Sequence, residues 1–255
     1  MAKLSVIIIT YNEEDHIREC LESIRWANEV VVVDSFSTDR TVKICKEYTA
    51  KVFQNEWTNF PHQKNIALNK VSNEWVLNLD ADERVSPELQ IEIKMAIARD
   101  DDYAGYLLPM KIYFHGRWIR YGGYYPDYHL RLFRKSKGRF NENLRAHGGV
   151  DVDGRVGRMK GALIHHSYRN LTDYFEKFNY YTTVSAEEKL ASGRKAKWYP
   201  FVRLPFEFIG AFIIKRGYRD GFYGLLFSIL SSFYAFVKYI KLWELQQMSE
   251  DKQKK

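Results

Sequence analysis

Only two cysteines, Cys20 and Cys45, and six prolines occur in 255 residues. Two thiols cannot build a zinc cluster or a disulfide framework, so a reducing compartment is expected. The turn after the first strand-like run, Thr10-Tyr11-Asn12-Glu13-Glu14, has two acids and no glycine. A dinucleotide-binding turn needs glycine so that backbone can approach the pyrophosphate, and that class is excluded. Internal repeats are missing, as are a signal-peptide cleavage site after Met1-Ala2-Lys3 and a recognisable nucleic-acid-binding module. Nucleic acid is not an expected partner. No uncharged run reaches the twenty residues of a comfortable membrane span; Gly221 to Val237 supplies seventeen.

Hydrophobic residues at 45% and charged residues at 28% describe an ordinary globular chain. The net charge of +7 by itself suits an anionic partner, whether nucleotide phosphate, anionic lipid or nucleic acid. Aromatic content is high, with 18 Tyr and 16 Phe, as at a sugar-stacking site or a membrane interface.

The first hundred residues alternate. Leu4 to Ile9, Glu29 to Val33, Lys51 to Gln54 and Glu74 to Leu79 read as strands; the first is a continuous apolar run suited to burial on both faces. Between them, Asn12 is expected to cap a helix carrying Ile17, Leu21 and Ile24, and Ser37 one carrying Val42, Cys45 and Tyr48. Helices follow at His62 to Lys70 and after Ser86-Pro87-Glu88, where proline and an acid suit a first turn. This order predicts an α/β fold, a mostly parallel, Rossmann-like sheet with helices on both faces. Residues 104–114 and 124–134 read as strands around Gly122-Gly123, 140–168 as short strands and loops, and Leu171 to Lys189 as a helix. The expected division is one domain over 1–170, with a nucleotide-binding half (1–100) and a mixed half completing it (101–170), then a helical region over 171–255.

In such a sheet, ligands bind beyond the C-terminal ends of the strands. Asp34 ends the second strand, and Asp80-Ala81-Asp82-Glu83 follows the fourth. Alternating carboxylates on extended backbone point the same way, so Asp80 and Asp82 are expected to share one hard cation, Mg²⁺ or Mn²⁺, that bridges a diphosphate. With no glycine turn to hold phosphate, a metal is the natural substitute.

VIIITYNEE, VVVDSFSTDRT, QKNIAL and WVLNLDADE together resemble the nucleotide-sugar-binding half of inverting family 2 glycosyltransferases of the GT-A fold. YYPDYHLRLFRK, HHSYRNLTDYFEKFNYYTT and DGFYGLL resemble the bacterial β-glucosyltransferases of the lipopolysaccharide inner core. The resemblance covers residues 3–245. It implies a UDP-sugar donor, UDP-glucose, and places Thr10, Tyr11 and Glu13 at the nucleoside, Asp34 at uracil or ribose, and Lys64 near the nucleotide. Asp80 would contact ribose or metal and Asp82 would be the principal metal ligand. His165 fits the family's late histidine, a metal ligand in some GT-A enzymes or a plain structural residue; as a ligand it would favour manganese.

Inversion needs a general base facing the acceptor hydroxyl. Many relatives carry His-Glu where this chain has His147-Gly148, and glycine cannot move a proton. Asp127 and Glu142 are the remaining candidates. Asp127 is preferred, because its aromatic neighbours suit a sugar and are expected to raise its pKa by desolvation. Arg131, Arg134, Lys135 and Lys137 form a cluster that reads either as recognition of a phosphorylated acceptor or as an exposed strand edge.

In the C-terminal segment, Gly224, Ser228, Ser231 and Ala235 make a small-residue stripe for close helix packing, within the chain or in a homodimer. The other faces carry Phe222, Leu226, Phe233, Phe236, Tyr239, Ile240 and Trp243, and residues 201–255 hold nine Lys and Arg against five acids. Peripheral contact with the anionic inner face of the cytoplasmic membrane is expected, where a lipid-linked or lipopolysaccharide-core acceptor would lie. Two alternatives stay open: a non-catalytic nucleotide-sugar-binding protein, motivated by Gly148, and a family 2 transferase with another donor and acceptor.

Overall fold

The computed structural model describes residues 2–99, 101–142, 149–168, 170–196 and 200–253. It falls into two compact units: residues 1–111 with 127–166, and residues 112–126 with 167–255. Ile112–Pro126 belongs to the same unit as the C-terminal helices.

In the first unit, β1 (Leu4–Thr10), β2 (Glu29–Asp34), β3 (Val52–Gln54) and β4 (Trp75–Asp80) pair in parallel in the order β3-β2-β1-β4. Strand alternation sorts the apolar run to two faces. Val6, Ile8 and Val32 pack with Ile17, Leu21 and Ile24 of and just beyond α1 (Ile17–Ser23), Cys45 of α2 (Thr41–Lys46), and Leu89 and Ile93. Ile7, Val31, Val33 and Val76 pack instead with Ala67 and Leu68 of α3 (Phe60–Lys70), and with Phe140 and Val150. The sheet is covered on both sides, as the continuous hydrophobic pattern requires.

Beyond β4 the sheet is mixed. It continues through β8 (Asp127–Arg134), β6 (Tyr103–Phe114), β12 (Leu163–Tyr168) and β5 (Glu83–Val85), with β4–β8, β6–β8 and β5–β12 antiparallel and β11 (Arg155–Arg158) parallel to β6. β7 (Arg117–Ile119) forms a short hairpin with the end of β6, so the chain reverses at His115-Gly116, ahead of the expected Gly122-Gly123 turn. β9 (Gly138–Phe140) and β10 (Val150–Val152) form a separate pair. Gly148 lies outside the described residues.

Helix α4 (Pro87–Ala98) begins as expected, with Ser86 accepting the Leu89 N–H at 3.2 Å. The other two capping expectations are corrected. α1 begins only after a turn over residues 13–16, and Asn12 sits at φ +53° with its side-chain oxygen accepting the Thr38 N–H. Ser37 likewise bonds back to Asp34 instead of capping α2. Both residues tie the loop after β1 to the loop after β2, a long-range use of side chains that equally suit caps.

In the second unit, α5 (Leu171–Ala191) is capped by Asn170 and packs against α7 (Phe222–Gln253) through Tyr174, Phe178, Leu230 and Tyr234. α6 (Pro200–Ile209) leads through a π-helical turn (Gly210–Ile214) and a 3-10 turn (Gly217–Asp220) back onto α7. Of the small-residue stripe, Gly224 and Ser228 are buried, and a Cβ on Gly224 would lie only 1.8 Å from the Gly217 carbonyl oxygen.

Candidate functional site

The polar residues gather where β1, β2 and β4 end. β8 runs antiparallel to β4, so its first residues, Asp127 to His129, lie towards that same end of the sheet. Asp34 is fully buried. Its carboxylate accepts from Thr10 Oγ1 (2.9 Å), the Ser37 N–H (2.8 Å), Ser37 Oγ and Gln54 Nε2 (3.5 Å). These donors occupy the lone pairs of both oxygens. In this arrangement Asp34 braces the loops; the side chain presented to solvent is Tyr11, which is 59% exposed. The Glu13 N–H donates to Thr41 Oγ1 at 2.8 Å, fixing the loop that carries Tyr11 to the start of α2.

Asp80 ends β4 between two cations. Lys64 Nζ on α3 lies 2.8 Å from Oδ1, and the Arg131 guanidinium on β8 donates to Oδ2 at 2.9 Å. Arg131 also reaches Glu83 Oε1 at 2.6 Å, and Glu83 Oε2 accepts the Asp80 N–H at 2.9 Å. Burial opposes ionisation of Asp80, yet Lys64 and Arg131 hold its carboxyl well below the usual carboxylate range. Glu83 differs: burial holds its carboxyl above the usual value, against the pull of Arg131.

Asp82 has a partner of its own. His165 on β12 lies 3.3 Å away, Nε2 to Oδ2, and the His166 N–H donates to the Asp82 carbonyl at 3.1 Å. β5 creates this meeting by pairing Glu83 with His165. Burial disfavours the charged imidazole, but the Asp82 carboxylate raises the His165 pKa above its ordinary value. Asp80 is thus clamped by Lys64 and Arg131 while Asp82 meets His165, and no cluster of three His, Cys, Asp or Glu ligands forms among the described residues. What Asp82 and His165 offer is one carboxylate and one imidazole. Such a pair could hold Mg²⁺ or Mn²⁺ only with water and substrate phosphate completing the shell, as such ions are usually bound with nucleotides.

The two candidate bases occupy different settings. The Asp127 carboxylate lies 2.8 Å from His129 Nε2, two residues along β8. That hydrogen bond outweighs desolvation and lowers the Asp127 pKa, correcting the expected upward shift. Glu142 is exposed; its carboxylate accepts from Asn65 Nδ2 at 2.8 Å and lies 3.4 Å from His62 Nδ1, and these contacts lower its pKa too. Asn65 also exchanges two hydrogen bonds with the Phe140 backbone, locking α3 to β9.

The basic cluster is dispersed. Arg131 turns inward to the acids, Arg134 donates to the carbonyls of Tyr103 and Asp101, and Lys135 to that of Val71. Neither reading of the cluster as one surface survives, because strand alternation separates Arg131 from Arg134. Sequence reasoning missed Arg131 and Glu83 as partners of Asp80, and His129 as the partner of Asp127. It also missed Phe36 and Trp57, exposed aromatics that follow β2 and β3. Only Glu83 had a local signal, its place directly after Asp82.

The family model described as glycosyl transferase family 2 matches residues 5–160, and the chain belongs to this family of glycosyltransferases. It is similar to the lipopolysaccharide core biosynthesis glycosyltransferase LpsC of Rhizobium meliloti (strain 1021), 29% identical, with 94% of this chain and 92% of that protein covered. An uncharacterised glycosyltransferase of Rickettsia typhi (strain ATCC VR-144 / Wilmington) is 34% identical, with 98% and 90% covered. Among solved structures, the mannosyltransferase PcManGT of Pyrobaculum calidifontis, in complex with GDP-Man and Mn²⁺, superposes with a TM-score of 0.56 at 16% identity, covering 94% of this chain and 86% of that one. S. aureus TarS 1-349 in complex with UDP-GlcNAc gives 0.51 at 18%, covering 97% and 92%. The fold is GT-A.

Proposed function

We propose that this glycosyltransferase moves a single sugar, glucose from UDP-glucose, with inversion, onto a lipopolysaccharide-core or other membrane-linked glycan at the cytoplasmic face of the bacterial inner membrane. Similarity to the R. meliloti protein over nearly the whole chain supports the lipopolysaccharide acceptor. The donor sugar rests on the motif resemblance. One observation carries the metal-dependent reading: Asp82 and His165 stand together while Lys64 and Arg131 hold the neighbouring Asp80 in place.

Asp82 and His165 would hold Mg²⁺ or Mn²⁺, and the ion would supply positive charge to the departing diphosphate. Lys64 and Arg131 keep Asp80 ionised and fixed in orientation, so that it can accept a hydrogen bond from the donor ribose without reorganising. The exposed Tyr11 ring packs on the base. Asp127, ionised and oriented by His129, takes the proton of the acceptor hydroxyl. The acceptor oxygen bonds to the sugar C1, the bond from C1 to the phosphate oxygen breaks, and UDP leaves with its electron pair. Glu142 is the second candidate for the same proton transfer.

Calorimetric titration of the full chain with UDP, with and without Mn²⁺ and beside Asp82→Asn, tests this. Mn²⁺-dependent binding that weakens by about 10- to 100-fold in the variant is expected, the usual cost of altering a metal site. No binding of UDP under either condition would sink the reading. Parallel titration with GDP separates a transferase with another donor, which would bind GDP and not UDP.

A further inference from the structure

The C-terminal unit leaves large apolar side chains in solvent. On α7, Phe222, Leu225, Ile229, Phe233 and Trp243 are exposed at spacings of three, four or ten residues, which is one face of a helix. From Phe222 to Trp243 this stripe runs about 30 Å at 1.5 Å per residue. The segment before it exposes Ile213 and Ile214, the latter 74% accessible, next to Lys215, Arg216 and Arg219. Over residues 208–243 there are five Lys or Arg and one acid, Asp220. That acid is engaged internally, its carboxylate accepting the N–H groups of Arg120 and Tyr121 at 2.9 and 2.7 Å. Further along α7, cations from α5 and α6 gather at one ring, with Lys189 Nζ 4.3 Å and Arg203 Cζ 5.0 Å from the centre of Tyr239, while Lys238 Nζ lies 5.2 Å from the centre of Tyr234. Burial, then Arg194 and Arg203, lower the Lys189 pKa; burial, then Lys189, lower that of Lys238.

α7 is long and apolar enough to cross a membrane. Its neighbour argues against a span. α5 packs along it, with Phe178 stacked on Phe233 and Lys241 Nζ donating to the Asn179 carbonyl at 3.0 Å. α5 carries six charged residues in 21, and the cost of each in hydrocarbon forbids immersing the pair. An apolar stripe that borders α5 at Phe233, protein on the remaining face and cations at its start fit a helix lying in the plane of an interface.

We infer that α7 and the turn before it form a docking surface for an anionic lipid bilayer, with the stripe from Phe222 to Trp243 at the acyl boundary and Lys215, Arg216 and Arg219 among the headgroups. This deepens the proposed membrane-linked acceptor, but it stands on the C-terminal unit alone. UDP binding measured on the same samples therefore separates its failure from failure of the transferase reading.

The test is flotation of the full chain with vesicles of phosphatidylcholine, with or without phosphatidylglycerol. Wild type is expected to float with the mixed vesicles and to be released by alkaline carbonate. The triple variant Lys215→Glu/Arg216→Glu/Arg219→Glu should partition about a hundredfold less, at least one factor of about five per charge. Phe222→Asp/Ile229→Asp should also stay behind, and unchanged UDP binding and circular dichroism would show both variants folded. Wild type that floats with neither vesicle overturns the inference, as does resistance to carbonate, which would mean a span. So does a dimer by light scattering that the Phe222→Asp/Ile229→Asp variant dissolves without changing flotation.

Discussion

The two units break the usual placement of residues in opposite directions. The first buries charge: Lys64, Arg131 and Glu83 lie inside it, gathered on Asp80 at a strand end. The second exposes hydrocarbon, with Phe222 71% and Ile214 74% accessible. The Ile and Val of the parallel strands, by contrast, lie inside the sheet layers as expected. Buried charge costs free energy unless it is paired, and exposed apolar surface leaves hydrophobic stabilisation unused. Each departure is therefore a place where fold stability alone does not explain the sequence.

The largest effect should come from unpairing the buried charge. Arg131→Met leaves Asp80 and Glu83 facing one another with Lys64 as the one remaining cation of the clamp. Breaking a buried pair from one side costs about 3–5 kcal/mol, readable in urea denaturation. Adding Glu83→Gln should recover part of that loss. A single variant as stable as the parent would mean that Arg131 is no partner in solution, and the contrast between the units would weaken.

Packing in the second unit offers a smaller test. Gly224→Val puts a side chain against the Gly217 carbonyl, where even a Cβ has no room. Overpacking of this kind costs about 1–3 kcal/mol. Its thermal midpoint should fall while UDP affinity stays at the parent value, because all the nucleotide candidates lie in the first unit. Loss of UDP binding in a folded Gly224→Val chain would show that the two regions do not act independently.

What the sequence disclosed follows the same division. Local periodicity made the first four strands, α3 to α5 and the Asp-x-Asp strand end legible, because alternation and capping are written in neighbouring residues. Arg131 was misread as surface because its partners are 48 and 51 residues away, and strand register decides which way it points. β5 and β7 are three-residue strands with too little pattern to announce them, and although β6 and β8 were legible as strands, the antiparallel pairing of β8 with β4 joins distant segments that no local pattern links. Asn12 and Ser37 were read as caps since a cap and a loop-to-loop bond call for the same side chains. The meeting of His165 with Asp82 was accessible only through resemblance, whereas the aromatic, cationic character of the last helix could be counted directly.

A pH-dependent effect separates buried charge that serves stability from buried charge at the site. Glu29 begins β2, at the other end of the parallel strands. Its carboxylate accepts from Ser5 and Lys51, from the Ser72 N–H at 2.8 Å and from Ser72 Oγ at 2.9 Å. Burial opposes the charge, but these donors lower the pKa from 4.5 to about 2. A carboxyl with a depressed folded-state pKa contributes stability that is fully present above its unfolded value and is lost as pH falls through the folded one. Glu29→Gln should therefore lower the urea midpoint near neutral pH, and the gap from the parent should close between pH 4.5 and about 2. UDP affinity should not move. A gap of constant size across that range would mean that the hydrogen bonds, and not the charge, supply the stability, and Glu29 would then leave the set of buried charges that define the first unit.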